Sequence, residues 1–245
     1  MRTFVVALLF LGVVSSFLVG TSAQSPVDSD ALVGTWETQW IGPGRDRATC
    51  YLTFSNDFTW SGYGIALKSF GPVTIAGTWG VDSNDRTIGS FTEYRGDGDI
   101  AGTFKRIAVA HSHLRGRAST GHRHITVNGD ASSTPLDVSG SNWVGEVRTG
   151  GNTIFQLYTF TASTNAPGWF DITGSGHGRS GTYTISGALV VTSNRRANGY
   201  LASDFGSVNT TSTWSFAGRF VPSLERGLFR GRDDSGNRVV IHATQ

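Results

Sequence analysis

The chain has one cysteine, one methionine, six prolines and, counted along the sequence, two lysines. A lone cysteine excludes an internal disulfide framework, so the fold must rest on its core. With Lys and Met this scarce, good helix formers are thin on the ground, which argues against a helical protein. Charged residues make up only 16% and the net charge is +2, too little for a general nucleic-acid binder. There is no Gly-x-Ser-x-Gly elbow, no His-Glu-x-x-His and no Gly-Lys-Ser/Thr phosphate loop. No catalytic residue, metal ligand or cofactor is therefore assigned. What is present is 33 Gly, 7 Trp and 15 Phe. That content is too aromatic for a disordered chain, and the glycines lack the three-residue period of collagen.

Residues 1–23 read as a signal peptide. Arg2 gives a positive start, Phe4 to Leu18 is an apolar run, and Thr21-Ser22-Ala23 supplies small residues before a cut. The run is fifteen residues, short of the ~20 a spanning helix needs. No later run is long enough to span a membrane. The expectation is a secreted, extracellular protein, or a periplasmic one in a bacterial host. Cys50 alternates with Leu52 and Phe54 on one strand face, so its thiol is expected in a core as a small hydrophobe. An intermolecular disulfide is the alternative. Asn209-Thr210-Thr211 is an N-glycosylation sequon that matters only in a eukaryote.

Two halves share a pattern. Leu114–Arg123 aligns without gaps on Phe229–Arg238, Ala101–Phe104 on Ala217–Phe220, and Gly77-Thr78-Trp79 on Gly181-Thr182-Tyr183. This reads as a tandem duplication: a first domain over 31–129, a Ser/Thr/Pro-containing linker over 130–140 and a second domain over 141–245. Each half breaks into about eight short alternating runs separated by turn formers such as Asn56-Asp57, Thr120-Gly121, Gly150-Gly151 and Ser235-Gly236. Eight short antiparallel strands close most naturally into a barrel, which removes their edges. The predicted fold is all-β, two tandem small meander barrels after a signal peptide. One larger barrel or sandwich is the alternative.

Leu32-Val33-Gly34-Thr35-Trp36 opens the first run, and Gly77-Thr78-Trp79 and Ser61-Gly62-Tyr63 follow. These fragments resemble the calycin superfamily, avidins and lipocalins, in which the Trp of Gly-x-Trp plugs one barrel end. The avidin comparison implies an Asn two residues after that Trp and a nearby Ser as biotin contacts. Thr38 and Gly42 stand there instead, and Ile65 replaces the Ser beyond Tyr63. The resemblance carries the fold and not the biotin site.

Aromatic residues are the leading candidates for a ligand wall. Trp36, Thr38, Trp60, Tyr63, Trp79, Trp169, Tyr183 and Trp214 are named as ligand-binding residues, since Trp and Tyr offer large apolar area with a polar edge. Against this, an eight-stranded barrel is only just wide enough for side chains to fill it. His111-x-His113 and His122-x-His124 flank the Thr120-Gly121 turn, which could gather them. Arg115 and Arg117 share the face of the first pair and repel a cation, so a solvated strand face is the favoured reading. Arg115/Arg117 and Arg230/Arg232 form two guanidinium pairs able to hold carboxylate or sulfate, or to pair with Asp233 and Asp234 on the barrel exterior. Gly176 to Gly181 matches Gly-x-Gly-x-x-Gly, but a strand-like run follows where a dinucleotide site needs a helix. Asp97 and Asp99 sit in a turn-like segment, and Glu37 with Glu93 is one example of a carboxylate pair that could face each other between strands, as a glycosidase needs.

The expected function is non-enzymatic burial of a small apolar or aromatic-faced ligand inside a Trp/Tyr-lined barrel. One alternative is an extracellular carbohydrate-binding or matrix module using exposed aromatics and Arg. The other is a cyclase- or isomerase-type enzyme. The partners expected are a small apolar molecule or a glycan, with no nucleic acid. Self-association is a further partner class, because avidin-type barrels oligomerise.

Overall fold

The computed structural model describes residues 29–245 apart from 85, 97, 150, 179–180, 205, 207–210 and 222–224. The signal segment, Asp97, Asn209 and Thr210 lie outside the described residues. The strands are β1 Gly34–Ile41, β2 Arg47–Phe54, β3 Thr59–Ala66, β4 Gly71–Val81, β5 Thr87–Arg95, β6 Ile100–Ala110, β7 His113–Thr120, β8 Arg123–Ala131, β9 Gly140–Thr149, β10 Asn152–Ala162, β11 Trp169–Gly178, β12 Gly181–Val191, β13 Arg196–Asp204, β14 Thr211–Phe220, β15 Arg226–Asp233 and β16 Arg238–Thr244. No α-helix occurs among the described residues, and no helix is long and apolar enough to cross a membrane.

Strands β1 to β8 form one closed antiparallel barrel and β9 to β16 a second. Each closes by pairing its first strand with its last, Trp36 opposite Ala131 in barrel 1 and Val144 opposite Thr244 in barrel 2. Closure leaves no unpaired edge. The connector is fastened at both ends: Ser132 N–H donates to the Thr35 carbonyl (2.8 Å), and Val138 is buried in the core of barrel 2.

The matched motifs fall on equivalent strands but not at equivalent levels. Gly77–Trp79 lies late in β4, whereas Gly181–Tyr183 opens β12. Ala101–Phe104 lies at the start of β6, and Ala217–Phe220 ends β14. Only the longest match keeps its level, aligning the turn glycines Gly121 (φ 57°) and Gly236 (φ 85°). A tight turn needs left-handed backbone at one site, whereas a Gly within a strand can move along it while still sparing space for a neighbouring ring.

Period-two alternation sends one residue in two inward, and those residues fill both barrels. In barrel 1, Trp40 meets Phe91 and Phe104 edge-on at 5.4 and 5.6 Å, and Trp60 stacks on Phe54 at 5.5 Å. In barrel 2, Trp143 meets Phe160 and Phe220 at 5.2 and 5.6 Å, and Phe229 meets Phe216 and Phe220. The hollow left among Tyr158, Ile172, Leu201, Phe216 and Ile241 is about 10 Å³, room for about one water. Cys50 is fully buried in the core of barrel 1, and burial first of all pushes its thiol above the ordinary range. It presents no surface for an intermolecular disulfide.

Polar groups inside are few, and among the described residues the Trp143 indole N–H and the Ser203 hydroxyl in barrel 2 are buried without a hydrogen-bond partner. Barrel 1 holds a carboxylate–guanidinium pair, Glu93 with Arg95 at 2.8 Å. Barrel 2 holds a neutral chain in which the Gln156 amide donates to the Tyr183 hydroxyl (2.8 Å) and Tyr158 donates to the Gln156 carbonyl.

Candidate functional site

The eight aromatic and polar candidates do not gather into one wall. Trp36, Thr38, Trp60 and Trp79 are buried inside barrel 1, and Tyr183 and Trp214 inside barrel 2. Trp36 donates its indole N–H to the Leu32 carbonyl (2.8 Å), and the Thr38 hydroxyl accepts from Trp40 while donating to the Cys50 carbonyl. Tyr63 and Trp169 point outward instead and meet each other across the junction of the two barrels, ring centroids 6.5 Å apart.

That junction is built from the outer faces of β2 and β3 against β12 and β13. Tyr51, Ile65, Ala188 and Val190 form its apolar centre, with Tyr63, Trp169 and Tyr200 packed round it. Tyr51 donates to the Val191 carbonyl (2.7 Å) and Tyr63 to the Pro167 carbonyl (2.8 Å). Burial pushes both phenols well above their ordinary range, and the Glu37 carboxylate beside Tyr51 adds to its shift. Gly168 carries φ 73°, and a Cβ there would meet the Tyr51 hydroxyl and the Val191 carbonyl, both at 2.5 Å. Only glycine lets these backbones approach so closely.

Glu37 is 5% exposed and faces barrel 2. Its carboxylate accepts from the Ser193 backbone N–H (3.0 Å) and hydroxyl (2.7 Å) in the β12–β13 turn. Beside it Arg196 donates to the Gln39 side-chain carbonyl (2.7 Å). Glu93 lies inside barrel 1 while Glu37 lies outside it, so the proposed carboxylate pair never faces one cleft. This corrects the sequence expectation: strand parity places odd residues of β1 outward and odd residues of β5 inward.

The histidine pairs are likewise separated. His113 lies opposite Asp130 in the β7–β8 register and His124 opposite Ser119, about 20 Å apart at 3.4 Å per residue. The Thr120-Gly121 turn forms as expected, but a hairpin pairs residues equidistant from its turn, and His113 lies at the far end of β7 while His124 lies at the near end of β8. His113 pairs with the exposed Asp130. Asp233 and Asp234 cap local backbone, accepting from Asn237 N–H (2.7 Å) and Thr213 N–H (3.0 Å), and Arg232 donates to the Gly236 carbonyl.

Docking of the two barrels leaves a groove of about 980 Å³ along one side of the junction. Arg47, Arg195, Arg196, Arg219 and Arg230 line it with Gln39, Thr49, Asn194 and Asn198, and among the described residues no carboxylate does. Ala217 sits on its floor, opposite Asn198 on one side and Arg230 on the other. The groove runs on past Arg47, Ala217 and Arg230 into a second stretch of about 930 Å³ that adds Lys68, Arg232 and Arg238 together with Phe70 and the carboxylates of Asp233 and Asp234. Of these cations, only Arg230 and Arg232 were named from the sequence. The others come from β2, the β3–β4 turn, the β12–β13 turn, β13, β14 and β16, and no short motif contains them. Alternation alone would have marked Arg219 as outward-facing, as it does Arg230 and Arg232.

No family model and no curated protein matches the chain. Among solved structures, the chain is similar to a protein of unknown function of the DUF3598 family from Nostoc punctiforme, at 12% identity over 88% of this chain and 96% of that one, with TM-score 0.27. It is also similar to Burkholderia oklahomensis agglutinin at 11% identity, over 86% and 94% of the two chains, with TM-score 0.21. A third is Myxococcus xanthus hemagglutinin, solved with a3,a6-mannopentaose, at 11% identity over 86% and 99%, with TM-score 0.18. Scores this low carry no weight for the site.

Proposed function

We propose that the chain is a secreted, non-enzymatic carbohydrate-binding protein that takes its ligand outside its barrels, in the groove beside their junction. The observation that carries this reading is the contrast in free space. The hollow in barrel 2 is about 10 Å³ and barrel 1 is packed ring against ring, while the groove offers about 980 Å³. Amide, hydroxyl and guanidinium groups are the donors and acceptors that ring hydroxyls need. Trp36, Trp60, Trp79 and Trp214 then serve as core, and the ordered barrel strands hold the groove residues at fixed spacing. Trp36 at one barrel mouth supports the calycin-type ancestry within the same proposal.

The test compares one groove variant with one interior variant. Ala217→Trp should fill the groove floor and abolish glycan binding measured by array or calorimetry. Trp79→Phe should leave binding within a few-fold, because it changes only the barrel 1 interior, its packing and the one hydrogen bond from the indole to the Ser55 carbonyl. The opposite result, binding that survives Ala217→Trp and disappears with Trp79→Phe, would return the ligand to the barrel interior.

A further inference from the structure

Building on that groove as the binding site, we infer that its ligand is an anionic polysaccharide whose carboxylate or sulfate groups are held by the arginines from both barrels. Three observations converge on this. The first is charge. Among the described residues, five arginines and no carboxylate line the main stretch, and the second stretch sets Lys68, Arg232 and Arg238 against Asp233 and Asp234, in a chain whose net charge is only +2. The cations are thus concentrated in the main stretch and balanced elsewhere.

The second observation is that the arrangement works against the fold. Arg196 stands directly opposite Arg219 in the β13–β14 register, and Arg232 opposite Arg238 in the β15–β16 register. Like charges directly across a ladder are destabilising. Arg195 adds a local cost, since its backbone sits at φ 68°, where glycine or asparagine would be at ease. Arg196 and Arg232 each give the scaffold one hydrogen bond, to Gln39 and to the Gly236 carbonyl, and an anionic ligand would relieve the repulsion that remains.

The third observation narrows the polymer. Single-stranded nucleic acid binds by stacking bases on exposed aromatic rings. The aromatics lining the main stretch are Trp40 and Phe220, 4% and 2% exposed. An acidic peptide could also use an arginine cluster, but the closed barrels offer it no sheet edge to extend. A sugar chain with periodic anionic groups needs neither. It needs guanidinium forks for its acid groups and neutral amides for its hydroxyls, and Gln39 and Asn194 supply the amides.

The experiment measures binding of the purified chain to dextran sulfate, alginate, unmodified dextran, oligo(dT) and polyglutamate at two salt concentrations. Dextran sulfate or alginate should bind at least ten-fold more tightly than dextran, with affinity falling as salt rises. Arg219→Ala and Arg230→Ala should each weaken binding about ten-fold, the loss of one charge-assisted contact. Ala217→Glu should abolish it by placing a carboxylate beside Arg230. The decisive variant is Arg195→Gly, which should leave the melting temperature unchanged or raised while binding falls, a combination that a merely structural arginine would not produce.

Each contrary result overturns a distinct claim. Equal binding of dextran and dextran sulfate, still blocked by Ala217→Trp, would overturn the anionic class and leave the groove in place. Salt-sensitive binding of dextran sulfate that ignores Ala217→Glu, Arg219→Ala and Arg230→Ala would overturn the groove itself. Tighter binding of oligo(dT) or polyglutamate than of either acidic polysaccharide would overturn the assignment to sugar. No binding of any of the five polymers would overturn both readings.

Discussion

Barrel 1 keeps a charged pair inside, Glu93 with Arg95, where barrel 2 keeps three neutral groups, Gln156, Tyr158 and Tyr183. Both devices sit in an eight-stranded barrel of the same strand order, so the closed sheet does not dictate which is used. The difference lies in what happens when one member is removed. A buried ion left without its partner is far more costly than a buried hydroxyl left without one. The two interiors are equally well packed and unequally tolerant.

The largest expected effect breaks the charged side of this comparison. Arg95→Leu strands the Glu93 carboxylate and should cost about 3–5 kcal/mol in urea unfolding followed by tryptophan fluorescence. Adding Glu93→Leu should restore most of that loss, because a paired ion is often no better than apolar side chains of similar volume. Recovery by less than half would mean that Arg95 holds the barrel by packing more than by charge. The corresponding change in barrel 2, Gln156→Leu, removes the acceptor of the Tyr158 hydroxyl and the Gln156 amide's bond to Tyr183 and should cost about 1–3 kcal/mol. A larger loss than that from Arg95→Leu would invert the comparison.

The junction gives a change of intermediate character. Glu37→Ala takes the acceptor from the Ser193 N–H and hydroxyl, for about 1–3 kcal/mol. Its signature is qualitative: one unfolding transition should separate into two as the barrels lose their coupling. Gly168→Ala should do the same by pushing against Tyr51 and Val191. A single sharp transition in both variants would show that the remaining contacts, the Tyr51–Val190 apolar centre with the Tyr63–Pro167 and Arg196–Gln39 hydrogen bonds, suffice to couple the barrels.

The smallest effect is one of pH. Burial raises the phenols of Tyr51 and Tyr63 in and beside barrel 1, and of Tyr158, Tyr183 and Tyr200 in barrel 2. In the unfolded chain a phenol titrates at about 10. Because the folded values lie higher, this contribution is complete below pH 10 and is lost as pH climbs toward the folded values. Stability should therefore decline above about pH 10, with phenolate absorbance rising together with unfolding. Phenolate appearing well before fluorescence changes would mean that these rings are open to solvent in the native state.

Much of the fold was legible because it rests on local rules. On β5, Phe91, Glu93 and Arg95 share one face by alternation, and the structure puts all three inside. The β7–β8 and β15–β16 turns announced themselves through Thr120-Gly121 and Ser235-Gly236. Position along a strand was less legible. Gly77-Thr78-Trp79 and Gly181-Thr182-Tyr183 look alike and yet occupy opposite halves of their strands. A glycine that spares room for a ring serves at any level where a ring arrives. The groove was the least legible of all. Arg47 and Arg219 are remote in sequence and become neighbours only when two finished barrels dock, and no local pattern records that event.

Each barrel also enters and leaves by the same mouth, since Trp36 pairs with Ala131 and Val144 with Thr244. Pulled by its ends, a barrel of this kind is loaded like a zipper, with its hydrogen bonds breaking one rung after another rather than all together in shear. Tension on an anchored chain would open the seam at low force, and the same rungs would re-form in order when it relaxed. The strand pairing that makes the barrel thermally secure thus leaves it mechanically compliant along its own axis of attachment.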